Sequence, residues 1–130
     1  MVRYRLWSIG FMILSLLGIF GPWFYFVKSV DYRTGWGTDI AFIIVGFFIY
    51  FLMIWINDCD KRIRITVLVG NLIVITSCIY EFLTWHIMTI TGELDLRVSF
   101  TTTHWGFYMT LICAVVSSII YTVGIIKSRV

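Results

Sequence analysis

Residues 40–88 read IAFIIVGFFIYFLMIWI, then NDCDKRIR, then ITVLVGNLIVITSCIYEFLTWHIM. Two apolar runs flank a short turn that gathers Asp58, Asp60, Lys61, Arg62 and Arg64. A helix that crosses a bilayer needs about 20 largely apolar residues. Run 40–56 is a little short of that and run 65–88 exceeds it. A single charged turn joins them, so the chain is expected to cross a membrane and return.

The same reading extends outward to segments 6–26 and 104–126. The expected fold is an all-α membrane protein of one domain, residues 1–130. It is an antiparallel four-transmembrane-helix bundle with spans 6–26, 40–56, 65–88 and 104–126. Short helix connections favour antiparallel neighbours. The connecting stretches are too short to hold a soluble domain. The first run is too long for a signal peptide, and no small-residue cleavage site follows it, which reads as a retained helix.

Composition agrees. Hydrophobic residues make up 60% of the chain and charged residues 13%, where a soluble domain is nearer half apolar and a quarter charged. The net charge is +3, but the basic residues cluster between apolar runs and form no stripe of the kind a nucleic-acid binder needs. Nucleic acid is therefore not expected as a partner. The bilayer is.

Basic residues stay on the cytoplasmic side of a membrane. Arg3, Arg5, Lys61, Arg62, Arg64, Lys127 and Arg129 fall on one side of the four spans; Lys28, Arg33 and Arg97 fall on the other. Both termini and the middle turn are thus expected inside, with outer loops at 27–39 and 89–103. The cell membrane is the expected location. Trp23, Tyr25, Tyr32, Trp36, Trp85, Trp105 and Tyr108 lie near the outer boundary, and Tyr4, Trp7, Trp55 and Tyr121 near the inner one. Aromatic rings collect at such depths. The tryptophans at 23, 36, 85 and 105 are an expected outer interaction surface.

The outer loops differ. Gly35 and Gly37 flank Trp36 and suit a tight turn. Leu94, Leu96, Val98 and Phe100 alternate with polar residues, which predicts a short extended segment that the first outer loop could pair with. Pro22, in Gly21-Pro22-Trp23, is expected to kink the outer end of the first helix.

Helices in lipid pack through small residues and polar contacts. On the fourth span, Gly106, Thr110, Cys113, Ala114, Ser117, Tyr121 and Gly124 share one side, opposite Ile112, Val115, Ile119 and Ile126. Gly106, Ala114, Ser117 and Gly124 are the expected packing face. The third span offers Gly70, Asn71, Ser77, Cys78, Glu81 and Trp85. The second offers Asp39, Gly46, Tyr50, Met53 and Asn57. The first offers Gly10, Gly18 and Gly21.

Glu81 is the most informative residue, because a carboxylate inside a span costs about 2–3 kcal/mol and needs an interior partner. His104, Tyr25, Arg97 and Arg33 are its expected partners by depth. Glu81, Asn71 and His104 form the expected polar intramembrane site, with an interhelical hydrogen bond assigned to Asn71. His86 and His104 are too few to complete a metal site with Glu81. Cys59, Cys78 and Cys113 are odd in number and lack a CxxC spacing. No nucleophile motif or phosphate loop occurs, so neither catalysis nor a cofactor is expected.

Gly21-Pro22-Trp23, Gly35-Trp36-Gly37 and the run from Gly106 to Leu111 resemble features of small four-helix membrane proteins of bacteria and archaea. The topology also resembles claudin-type tetraspan proteins. Those carry a long first outer loop with a cysteine pair, whereas this loop is short and has no cysteine. The resemblance is one of architecture and implies no functional residue. The expected role is non-enzymatic: a structural or accessory subunit, an assembly factor or an immunity-type protein, with a membrane-protein partner or a second copy of itself. The alternative is a small oligomeric transporter or channel using Glu81.

Overall fold

Glycine and proline together stop the first helix early. In the computed structural model, which describes residues 1–25, 32–37, 40–56, 60–87 and 92–128, helix α1 spans Val2–Gly18. It does not continue to residue 26. The last turn tightens through Ile19, Phe20 and Gly21, whose amides bond to the carbonyls of Leu16, Leu17 and Gly18. Pro22 then supplies no amide donor and biases Gly21 away from helical geometry. Instead of kinking a helix, Pro22 opens strand β1, Pro22–Tyr25.

β1 pairs antiparallel with β2, Tyr32–Thr34, with Phe24 opposite Arg33, Tyr25 opposite Tyr32, and an irregular register between Pro22 and Phe24. A single 3₁₀ turn at Gly35–Gly37 leads toward helix α2, Ile40–Ile54. Lys28, Asp39, Asn57, Asp58, Cys59 and Arg129 lie outside the described residues, as do the expected helix ends at Phe26 and Met88 and the side chains of Tyr32 and Arg33.

Helix α3, Lys61–His86, begins where the carboxylate of Asp60 accepts the amide of Arg62, an N-cap. The extended segment expected around residues 94–100 is helix α4, Leu96–Thr102. The reason is another cap: Asp95 Oδ1 accepts the amides of Arg97 and Val98 at 2.9 and 3.4 Å. The apolar alternation there did not signal a strand, since Leu94, Leu96 and Phe100 are all exposed. The segment between α4 and the next helix still touches the hairpin. Phe24 bridges to Thr103, and the amide of His104 donates to the Trp23 carbonyl at 2.8 Å. Helix α5, Trp105–Lys127, follows.

The chain is thus essentially helical, and two of its helices, α3 and α5, are long and apolar enough to cross a membrane. The four long helices pack in the spatial order α1, α5, α3, α2, each antiparallel to its neighbour. Tyr4 lies against Gly124 and Gly18 against Gly106. Phe82 stacks on Phe107 at one end of the α3–α5 contact, and Arg64 reaches Ser128 at the other. Gly46 meets Val74 and Gly70.

Glycine sets the close approaches. A Cβ on Gly106 would stand 2.7 Å from the Pro22 carbonyl oxygen and 3.0 Å from that of Gly18. A Cβ on Gly46 would stand 2.9 Å from the Gly70 oxygen. The face expected on the first helix needs correction: Gly10 has open space around it, and the buried side is Ser8, Met12, Ser15 and Gly18.

Candidate functional site

The interior of the bundle is where polar side chains gather. Ser8 of α1, Tyr50 of α2 and Ser117 of α5 are fully buried and share a hydroxyl cluster. Ser8 Oγ lies 2.6 Å from Tyr50 Oη and 2.8 Å from Ser117 Oγ, and Ser117 Oγ donates to the Ser8 carbonyl at 2.9 Å. One residue from each of three helices meets at one point, so the cluster fixes their relative rotation. Farther along the α1–α5 contact, Ser15 Oγ donates to the Thr110 carbonyl at 2.7 Å. Hydroxyls at such positions satisfy themselves across the interface in place of water.

At the end holding both chain termini, basic residues bind helix ends together. Arg5 donates to the Ile54 carbonyl at the close of α2, a favourable place for a cation. Lys127 stands over the Tyr4 ring, 5.6 Å from its centre.

The opposite end is aromatic. Trp23 and Phe24 of β1 are fully buried. Phe24 stacks on Trp85 of α3 at 4.4 Å, and Trp23 meets Phe107 of α5 edge-on at 5.3 Å. The Trp23 indole also donates to the Gly18 carbonyl at 3.0 Å, a second bond to an acceptor that the Gly21 amide already uses. This divides the expected tryptophan surface. Trp36 and Trp105 are about half exposed, whereas Trp23 and Trp85 are buried in the core. Amphipathic rings at an expected boundary depth can equally plug the end of a bundle.

His86 is a buried connector, not a surface anchor. Its Nε2 accepts the Asp95 amide at 3.0 Å, so the ring's proton resides on Nδ1, which faces Ser99 Oγ at 3.2 Å. Ser99 Oγ in turn donates to the Asp95 carbonyl at 3.3 Å. The imidazole thereby ties α4 to the end of α3. Two sequence signals marked this contact: a histidine at a helix terminus and an Asp-x-x-x-Ser spacing beside it.

Glu81, Asn71 and His104 are not brought together. Glu81 is buried on α3 and lines a pocket of about 340 Å³ with Phe42, Thr76, Ser77 and Tyr80. Asn71 lies ten residues earlier on the same helix, about 15 Å away along its axis. It is fully buried, and neither its amide nitrogen nor its oxygen has a hydrogen-bond partner. The interhelical bond expected of it is not made. His104 caps the start of α5, with its ring 4.0 Å from that of Tyr25.

On α5, Gly106, Ala114, Ser117 and Gly124 are all buried, together with Thr110 and Tyr121, while Cys113 is half-buried. Among the described residues no group of three or more His, Cys, Asp or Glu side chains is placed to hold a metal ion. Compared with protein-family models, with curated proteins and with solved structures, the chain matches none of them.

Proposed function

We propose that the chain is a multi-pass protein of the cell membrane. In this reading α1, α2, α3 and α5 each cross the bilayer with both termini inside. The protein acts without catalysis, as a structural or accessory subunit, an assembly factor or an immunity-type protein. It works through its helix faces and the exposed outer end around Trp36 and Trp105, against a membrane-protein partner or a second copy of itself.

One observation carries this reading: the helices bury polar side chains within their core while large apolar side chains cover the outside. Ser8, Ser15, Asn71, Thr110 and Ser117 are fully buried. Leu6, Leu17, Phe42, Phe48, Leu72, Ile112 and Ile119 are exposed. A surface helix of a water-soluble protein has the reverse arrangement. The core helix of a soluble protein would be mostly covered, yet only 28% of the most apolar stretch is buried in either α3 or α5.

Helix α1 fits the same frame. Helix α1 has 17 residues, about 26 Å, short of a hydrocarbon core of about 30 Å. The β1–β2 hairpin continues it. Irregular backbone is tolerated at membrane depth only when protein covers it, and Trp23 and Phe24 are fully covered.

An interaction role is favoured because interior polar groups are spent holding helices to one another, and glycine contacts close the α1–α5 and α2–α3 seams. Purification in a mild detergent tests it. A stoichiometric membrane-protein partner or a defined homo-oligomer is the expected result. A lone monomer with measurable ion flux in liposomes would contradict it.

The pocket at Glu81 favours a second reading, an oligomeric ion- or proton-coupled transporter. Its test is a Glu81→Gln variant in liposomes: flux that the parent shows and the variant loses supports the transporter, and a silent parent ends it.

A further inference from the structure

We infer that the crevice between α3 and α5 below α4 holds one acyl chain of an amine-bearing phospholipid, whose headgroup rests on Arg97 and Asp95. The inference depends on the membrane reading above and names a ligand that reading does not require.

The crevice has a volume of about 200 Å³ and is lined by Ile79, Phe82, Phe100, Phe107, Tyr108 and Leu111. Its walls are ordered by ring contacts: Phe82 meets Phe100 at 5.0 Å and Phe107 at 5.5 Å. Ile79 in its lining, and Ile112 next to the lining residue Leu111, are exposed on α3 and α5. An acyl chain is the occupant such walls accept, because the surface they expose to the crevice is apolar.

Charged residues of α4 and its N-cap supply what distinguishes a particular lipid from the surrounding bilayer. Arg97 lies one turn before Phe100 on the exposed side of α4, so charge and crevice share a helix face. Among the described residues its guanidinium has no hydrogen-bond or ion-pair partner. A guanidinium matches the geometry of a phosphodiester. Asp95 is exposed, and it spends one carboxylate oxygen on the helix cap. The second oxygen is an acceptor for an ammonium. Glu93 adds a further negative charge nearby, which disfavours a purely anionic headgroup. A zwitterionic headgroup with a hydrogen-bonding ammonium satisfies both signs.

The test uses the full chain in mild detergent, supplied with equal amounts of phosphatidylethanolamine and phosphatidylcholine of matched chains. After washing, retained lipid is measured by mass spectrometry. The ethanolamine lipid is expected to be retained about tenfold over the choline lipid, which cannot donate hydrogen bonds to Asp95. Arg97→Gln should reduce retention of both lipids. Ile79→Trp fills the crevice from its exposed edge and should do the same. A photoreactive acyl chain should cross-link near Phe100 and Tyr108. Equal retention of the two lipids, or retention unchanged in both variants, overturns the site. Circular dichroism and a detergent requirement for solubility separate the two claims: a helical, detergent-dependent protein that shows no lipid preference refutes this site alone.

Discussion

The α1–α5 and α2–α3 seams use the same glycine device but secure it differently. Between α1 and α5, Gly18, Gly106 and Gly124 bring backbones together, and hydroxyls then cross the seam at Ser8–Ser117 and from Ser15 to the Thr110 carbonyl. Between α2 and α3, Gly46 and Gly70 bring the backbones equally close, with Val74 filling the space beside them. No side-chain hydrogen bond between α2 and α3 is found among the described residues. The buried amide of Asn71, on α3, is unpaired. Among the described residues, one seam is thus fixed by shape and directed bonds, and the other by shape. Shape forbids overlap strongly, whereas a hydroxyl pair in lipid contributes only about 0.6–2 kcal/mol, so glycine substitutions should have the larger effects in both seams.

Gly106→Val should be the most damaging change. The atoms it would strike are backbone atoms of Gly18, Gly21 and Pro22, which cannot swing aside. A loss of about 3 kcal/mol or more is expected, at the upper end of overpacking costs. Unfolding in mixed micelles measures it. Gly46→Ala adds a single methyl against Val74 Cγ2 at 2.7 Å and the Gly70 oxygen at 2.9 Å. Because the valine methyl can yield in part, a smaller loss of about 2 kcal/mol is expected. Equal and negligible effects would mean that neither seam is as close as described.

Tyr50→Phe sharpens the contrast, since the phenol is the hydroxyl through which α2 joins the α1–α5 seam. Removing it leaves Ser8 and Ser117 paired with each other, and a loss of about 1 kcal/mol is expected. Asn71→Leu should act in the opposite direction. It replaces a buried amide without partners by an apolar group of similar size, and a gain of about 1 kcal/mol is expected. A loss on Asn71→Leu would reveal a polar role for that side chain. Gly10→Ala should have the smallest effect. Nothing lies within 4 Å of the added carbon, so the helix gains about 0.5 kcal/mol from its better intrinsic propensity.

These differences also mark how far the sequence could be read. The apolar runs locate all four long helices, and 3.6-residue periodicity places Gly106, Ala114, Ser117 and Gly124 on one side of the last. Such faces are legible because helix geometry is regular over many turns. Short-range structure at the outer end was less legible. Gly21-Pro22 has the chemistry of a kink and of a strand start alike, and pairing with β2 together with the distant donor at His104 decides for the strand. In residues 94–100, the cap from Asp95 outweighs an alternation that fits a strand. Gly10 shows the limit of a small-residue pattern: being on the α1 surface does not make a glycine a contact. Trp23 and Trp85 show the matching limit for aromatics, whose depth along a helix says nothing about which way they face. For the candidate site, the burial of Glu81 followed from its position in an apolar run. The Ser8–Tyr50–Ser117 cluster did not, because it unites ordinary residues from three helices.

The central claim is that the long helices cross lipid with their polar groups turned inward, and sidedness tests it most directly. In a background with Cys59, Cys78 and Cys113 all changed to alanine, single cysteines at Arg62 and at Glu93 can be treated with a membrane-impermeant maleimide on intact cells. The account predicts labelling at position 93 and none at position 62 until the membrane is opened. Labelling at 62 from outside, or a chain that stays in solution without detergent, would contradict it.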